Sequence, residues 1–579
     1  MKIIKLEEIM LQVITIGQSV NMKDNTFSIE LRNFYQGYSP IAHLNSLTQI
    51  GNEGHASSMT NCDILTPDYL TQGPALANLT NGTQTGAVDE LINFIMDKAV
   101  SDDVSFGIGA TKLFQISSTA VSTTSPFPHT ITNATDGESC INMKGNLYYF
   151  YNKSSGADIG KHDLSSTFDD DWGSTTPTGA AALQKAIHPV AVKEDIMVFG
   201  NGRYLGTYIE GTDTLAPTKL DFGQGNEVAD VIFHANQWYI AVNSGVSGTN
   251  RNNGKIFVYD GSAISSVLDD EVSVGVQRIG FLFSLNGIIY VAYQDLSSAG
   301  YKIGYVSGRQ IKDLSYFAGS LPSFAQKTLY KNTILFLSSG SVYTSGAVVD
   351  DLPIQVSQIA DGGYATCGAI AAPFGTPMIS STDNTNYRLA QFSGYDVTSS
   401  WRSIVIPIAG GRNMGQITEV VVYTNTIATG GRCDLQLEYD QDSADSGTAK
   451  QITGAKRRHV FKNLGGIAAD YTDGTALFTY NSAAVVGTST TFTSAMVGRK
   501  IKNNAGGVWY EISAVADGTH LTLSAVYAGT TTTSDTYTIK EAGGGTHEDF
   551  RVFLNYANGS ATNPVNIRRI RANGHFVER

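Results

Sequence analysis

Two short basic runs stand out among the residues able to do chemistry: Lys456-Arg457-Arg458-His459 and Arg568-Arg569-Ile570-Arg571. Clustered guanidinium and ammonium groups bind carboxylates or phosphates. The whole chain, however, carries 39 Lys and Arg against 52 Asp and Glu, a net charge of −13. That balance argues against a surface built to grip nucleic acid by its phosphates. Lys456, Arg457, Arg458, Arg568, Arg569 and Arg571 are therefore expected either to form a positive rim that docks an acidic neighbour or to be charges on the outward face of two edge strands.

Other arrangements of reactive residues fall short of a site. Asp169-Asp170-Asp171-Trp172 reads as a solvated loop. Asp440-Gln-Asp442-Ser-Ala-Asp445 has carboxylates near calcium-loop spacing but lacks the glycine and the bidentate glutamate. No Gly-X-Ser-X-Gly elbow is present, and Gly200-Asn-Gly-Arg-Tyr-Leu-Gly206 is one residue too long for a dinucleotide fingerprint. Gly254-Lys255 is followed by Ile256, so it is no phosphate loop. The ten histidines form no close pair, and the four cysteines (Cys62, Cys140, Cys367, Cys433) are far apart. No catalytic residue, metal or cofactor is expected.

The elements carrying these residues read as strands. Charged residues make up only 16% of the chain, and Gly, at 60 residues, is abundant, which disfavours long salt-bridged helices. A hairpin signal recurs at Asn146, Asp195, Asn236, Asn286 and Asn332, spaced 49, 41, 50 and 46 residues apart, each starting a short apolar strand. A second signal, an aromatic residue and then a Gly turn, recurs with Gly211, Gly261, Gly308, Gly346 and Gly394, spaced 50, 47, 38 and 48. Hairpins repeating at 40–50 residues indicate propeller blades, because one four-stranded blade cannot cover both of its own faces. Six or seven blades are expected over 104–397. Glycosidase propellers carry a Ser-X-Asp-X-Gly turn followed by Trp, and Ser381-Thr-Asp-Asn-Thr385 lacks both the Gly and the Trp.

After Trp401 the strands lengthen and alternate, as in Cys433-Asp-Leu-Gln-Leu-Glu-Tyr439. Residues 398–466 and 542–579 are expected to form a β-sandwich, interrupted by a Thr- and Gly-rich small β module over 467–541. The fold class expected is thus all-β throughout. Residues 1–103 show little repeat. Within them Val88–Met96 fits a helix or a strand almost equally, and Phe34, Tyr35, Tyr38, Tyr69 and Leu70 read either as subunit contacts on an N-terminal arm or as completing a terminal blade. The acidic start of the chain, with Glu7 and Glu8, does not read as a secretion signal, and no membrane insertion is expected.

A propeller followed by a sandwich that closes on Ile567-Arg-Arg-Ile-Arg571 and Gly574-His-Phe-Val-Glu578 resembles the tail-nozzle or hub proteins of short-tailed bacteriophages. The segment Thr488-Ser-Thr-Thr-Phe-Thr-Ser-Ala-Met-Val-Gly-Arg-Lys-Ile501, followed by Trp509–Val515 and Leu521–Ser524, is similar to a small module found in phage structural proteins. The resemblance implies a non-enzymatic virion component assembled in the host cytoplasm, usually as a ring of six copies. It implies contacts with a tail adaptor or portal-side protein and with fibres or spikes, while genomic DNA passes through without specific binding. The alternative is a receptor- or glycan-binding tail fibre or adsorption protein.

Overall fold

The computed structural model describes residues 18–21, 26–31, 34, 56–65, 69–245, 253–262, 264–266, 276–295, 300–346, 354–361, 366–383, 385–408, 414–439, 442–446, 449–462, 471–497, 499–539, 549–557 and 559–577. Among the described residues, seven four-stranded antiparallel sheets follow one another, six with all their strands between residues 92 and 361 and the seventh with three strands over 366–393 and one taken from 75–83. Blades 1 to 6 each run in sequence order, and the first strands of neighbouring blades touch. The first strands are Ile92–Ile95, Asp136–Met143, Val190–Lys193, Asn226–His234, Val276–Leu285, Lys327–Tyr330 and Thr366–Ala371.

The hairpin signal has a local cause. At Lys144-Gly145, Ala235-Asn236, Asn286-Gly287 and Lys331-Asn332 both residues of a two-residue turn have positive φ. Such turns match the right-handed twist of the strands they join. The second signal marks the third strand of a blade. In blades 2 and 3 that strand also carries Gly160 and Gly206, opposite Tyr149 and Phe199. A Cβ at Gly206 would lie 2.3 Å from the Phe199 ring, so the absence of a side chain is what lets the aromatic ring lie across the strand.

The described strands of the first hundred residues belong to the sandwich and the propeller rather than to a separate arm, and the propeller does not start at 104. Ile92–Ile95 is a strand, the innermost of blade 1. Ala75–Thr83 supplies the outer strand of blade 7, paired with Tyr387–Ser393, and so closes the ring of blades. Closure by an early strand removes the open edge that a ring built strictly in sequence order would leave. Upstream, Gln18–Asn21 and Thr26–Leu31 join Ile567–Val577, Met414–Thr424 and Arg458–Lys462 in a five-stranded sheet. Ala56–Thr60 joins Ser400–Ser403, Asp549–Asn555, Arg432–Tyr439 and Asp442–Ser446 in the facing sheet. The first and the last described strands, Gln18–Asn21 and Ile567–Val577, therefore lie in the sandwich.

One apolar cluster fills the sandwich, including Phe27, Ile29, Trp401, Val420, Leu435, Leu437, Phe550 and Ile570. Residues 471–539 form a separate unit with its own core around Phe478, Ile501, Ile512 and Tyr537. Its six strands close into a barrel, since Tyr471 pairs with Ile539 and Ala476 with Asp535 across the seam. The barrel begins and ends at that seam, where Tyr471 N–H donates to the Ile539 carbonyl at 2.9 Å and the reverse bond is also 2.9 Å. An insertion can occupy a surface loop without disturbing its host when its two ends meet in this way. Among the described residues no helix is long and apolar enough to cross a membrane.

Candidate functional site

The two basic runs, more than a hundred residues apart in sequence, converge on one sheet. Met414–Thr424 pairs with Arg458–Lys462 on one side and with Ile567–Val577 on the other. Tyr423 sits opposite both Arg458 and Arg569, and Val421 opposite both Val460 and Arg571. Side chains alternate across a strand, so Val420 and Val422 enter the core while these rows share the outer face. On the edge strand, Arg458, Val460 and Lys462 are exposed while His459 is buried. Burial lowers the pKa of His459, so the first run contributes three cations, Lys456, Arg457 and Arg458, all exposed.

The second run is held by specific partners. Arg571 Nη2 donates to Glu30 Oε2 at 2.8 Å, and Arg569 lies 3.5 Å from the same carboxylate. Burial alone would raise the pKa of Glu30, but the hydrogen bond from Arg571 and the charges of both arginines outweigh it and lower it. The Arg569 guanidinium lies 4.0 Å from the Tyr423 ring centre, a cation–π stack. A bulge between Tyr423 and Thr424 leaves Arg568 as the extra residue. Arg568 covers the Tyr69 ring at 5.0 Å and donates to its hydroxyl at 2.9 Å. The face thus has cations paired or stacked on its central strand and exposed ones along its edge, Arg457 donating to the Thr426 hydroxyl at 3.1 Å, around exposed Val460.

The expected subunit contacts come out differently. Phe34 is fully buried in the sandwich core, edge-on to Trp401 with ring centres 5.3 Å apart, and Leu70 is fully buried beside Ile567. Both fill the sandwich core, neither exposed for a subunit contact nor completing a blade, because strands hundreds of residues downstream cover them. Tyr69 is half-buried under Arg568. Tyr35 and Tyr38 lie outside the described residues.

The acidic run is internally tied. Asp170 accepts from His129, Tyr149 and the Thr132 N–H, bonds that hold its carboxyl well below the usual range although burial would raise it. Lys153 binds Asp171 at 2.6 Å. Asp440 lies outside the described residues, and among the described residues no three His, Cys, Asp or Glu side chains are grouped to hold a metal ion.

The inner strands carry an ionic arrangement that composition did not single out. Asp136, Glu227 and Arg278 occupy the same register position in blades 2, 4 and 5, opposite Asn152, Asn243 and Gln294. Glu138, beside Asp136, accepts from Asn152 at 2.6 Å, and burial followed by the charges of Asp136 and Glu227 pushes its pKa up to about 8. Asn243 also reaches the next blade, and Asn152 the segment that leads into it. Asn243 accepts from Ile279 N–H at 2.7 Å and donates to its carbonyl at 2.9 Å, and Asn152 does the same with Ala186 at 3.2 and 3.1 Å. The signal for them is an Asn near the end of the second strand, recurring two blades apart.

No family model matches the sequence, and no curated protein matches it. Among solved structures the chain is similar to the β-propeller domain of the Trilobed protease from Pyrococcus furiosus, at 11% identity and TM-score 0.35, over 52% of this chain and 96% of that one. It is likewise similar to the Neurospora crassa Pan2 WD40 domain, at 7% identity and TM-score 0.35, over 56% of this chain and 96% of that one. A third likeness is to the extracellular domain of a hybrid two component system from B. thetaiotaomicron, at 13% identity and TM-score 0.38, over 76% of this chain; the chain spans 56% of that domain.

Proposed function

We propose that this chain is a structural, non-enzymatic component of a bacteriophage tail, a nozzle or hub protein whose copies form one ring, six by the resemblance, around the DNA exit channel. The observation that carries the reading is the way the chain is threaded. Its first described strands lie in the sandwich; it then crosses to close the propeller with Ala75–Thr83, circles all seven blades, and returns to the sandwich for its last described strand. Two rigid bodies joined by two chain crossings resist being pulled apart, which suits a wall under load. A net charge of −13 suits a wall that DNA slides past, since like charge prevents adhesion. The basic sheet face supplies a place for a neighbour, whether adaptor, fibre or second copy.

A receptor- or glycan-binding role is favoured by one observation only. Tyr480, Val508 and Val526, at 65, 57 and 50% exposure, lie in loops that join strands of the barrel. Imaging intact particles that contain the protein separates the two readings. One coaxial ring at the lower end of the tail is expected; separate trimers projecting from it would refute the nozzle reading and favour receptor binding.

A further inference from the structure

We infer that copies of this chain join head to tail, the basic outer face of the five-stranded sheet docking on an acid-rimmed apolar patch on blade 3 of the next copy. The inference rests on the ring reading and names the surfaces that would build it. The sandwich is fastened at blades 6 and 7: Asp63 pairs with Lys331 at 3.4 Å, and Leu65 packs with Leu335, Leu337, Ile370 and Ile379. In a closed circle of seven blades, blade 3 is three steps from blade 6 and three from blade 7. It is thus the blade across the propeller from the sandwich, where a head-to-tail contact needs its second surface.

Blade 3 carries a suitable patch there. Ile196 and Ile209 sit opposite each other on adjacent strands, and each is 36% exposed. Glu194 and Asp195 precede the first, Glu210 and Asp213 follow the second, and the Glu210 N–H donates to the Asp195 carbonyl at 3.0 Å, which places both turns at one end of the blade. Lys193, 3.4 Å from Glu194, and Lys144, 3.8 Å from Glu210, offset these charges only in part. The opposing face repeats the pattern with the sign reversed: Val460, 39% exposed, stands among Lys456, Arg457, Arg458 and Lys462. An apolar centre inside a charged rim, matched by its opposite, gives both adhesion and register. Because the two surfaces differ, the contact is heterologous and closes into a ring if the rotation per copy permits.

The test uses the full-length protein in sedimentation velocity across a salt series. Wild type should self-associate at low salt and weaken as salt screens the rims. Arg457→Glu with Arg458→Glu, and separately Glu194→Lys with Asp213→Lys, should each weaken association by at least roughly tenfold. Combining all four should restore it. In a wild-type background, Val460→Cys with Ile196→Cys should give a disulfide between copies under oxidation. Association unchanged by either reversal, or a chain that stays monomeric at low salt and gives no such cross-link, overturns this interface. Neither result touches the nozzle reading, which the particle image decides. An open or two-copy assembly cross-linked through this pair would support the interface and count against a closed ring.

Discussion

The propeller is pinned by one buried ion pair whose loss should be felt in three blades at once. Asp230 lies on the first strand of blade 4, with its side chain 4% exposed, and accepts from its neighbour Val231 N–H at 2.8 Å and from Leu282 N–H of blade 5 at 2.6 Å. Lys327 of blade 6, 12% exposed, binds Asp230 and donates to the Leu282 carbonyl at 2.5 Å. Burial raises the pKa of Asp230, and the charge and hydrogen bond of Lys327 pull it the other way, so the ammonium is what offsets the cost of burying the carboxylate. Replacing Lys327 by Met leaves a buried carboxylate without its cation, and replacing Asp230 by Asn strands the ammonium. Each should cost ~3–5 kcal/mol, whereas the double replacement should cost far less than the sum, because it leaves no lone charge.

Whole-chain melting would blur this, since propeller, sandwich and barrel have separate cores. Hydrogen exchange followed by mass spectrometry reads it locally. Peptides from 226–244, 276–295 and 327–338 should exchange ~100- to ~3,000-fold faster in each single variant. Barrel peptides should not change. A single variant that costs under ~1 kcal/mol, or a double variant that is simply additive, would refute the argument that the charges need each other.

Two further outcomes are expected. The pKa of Glu138, raised from 4.5 to about 8, means that the folded propeller holds this proton more tightly than the unfolded chain, so the stability it contributes is complete below about 4.5 and lost as pH rises to about 8. At about 1.4 kcal/mol per pH unit the ceiling is ~5 kcal/mol, and partial exposure reduces it to ~2; Glu138→Gln should flatten the fall in propeller protection between pH 5 and 8, and an identical slope in the variant counts against it. Excising 468–540 and bridging the gap with a short Gly-Ser linker should leave a soluble propeller and sandwich with unchanged melting, because the barrel begins and ends at one seam; insoluble protein would show that the barrel supports its host.

What was legible in the sequence is what the chain decides locally. A two-residue turn with positive φ at both positions favours Gly or Asn, so the hairpins at 144–145, 235–236, 286–287 and 331–332 leave a trace in four of the blades. Alternation in Cys433–Tyr439 likewise marks a half-buried strand, and Cys433, Leu435, Leu437 and Tyr439 are all fully buried. Pairing between distant segments leaves no such trace. Ala75–Thr83 shows a weak pattern because an outer strand is half solvated, and its partner at 387–393 lies some three hundred residues away. Phe34 and Leu70 look exposed until the strands from the far end of the chain cover them. The basic runs show the division within one site. Their composition marked them as a charged surface, but only the intervening strand Met414–Thr424, pairing on both edges, makes them one face. The proposed docking function depends on that step, since six cations on two separate edges would be solvated charges and on one face they can recognise a partner.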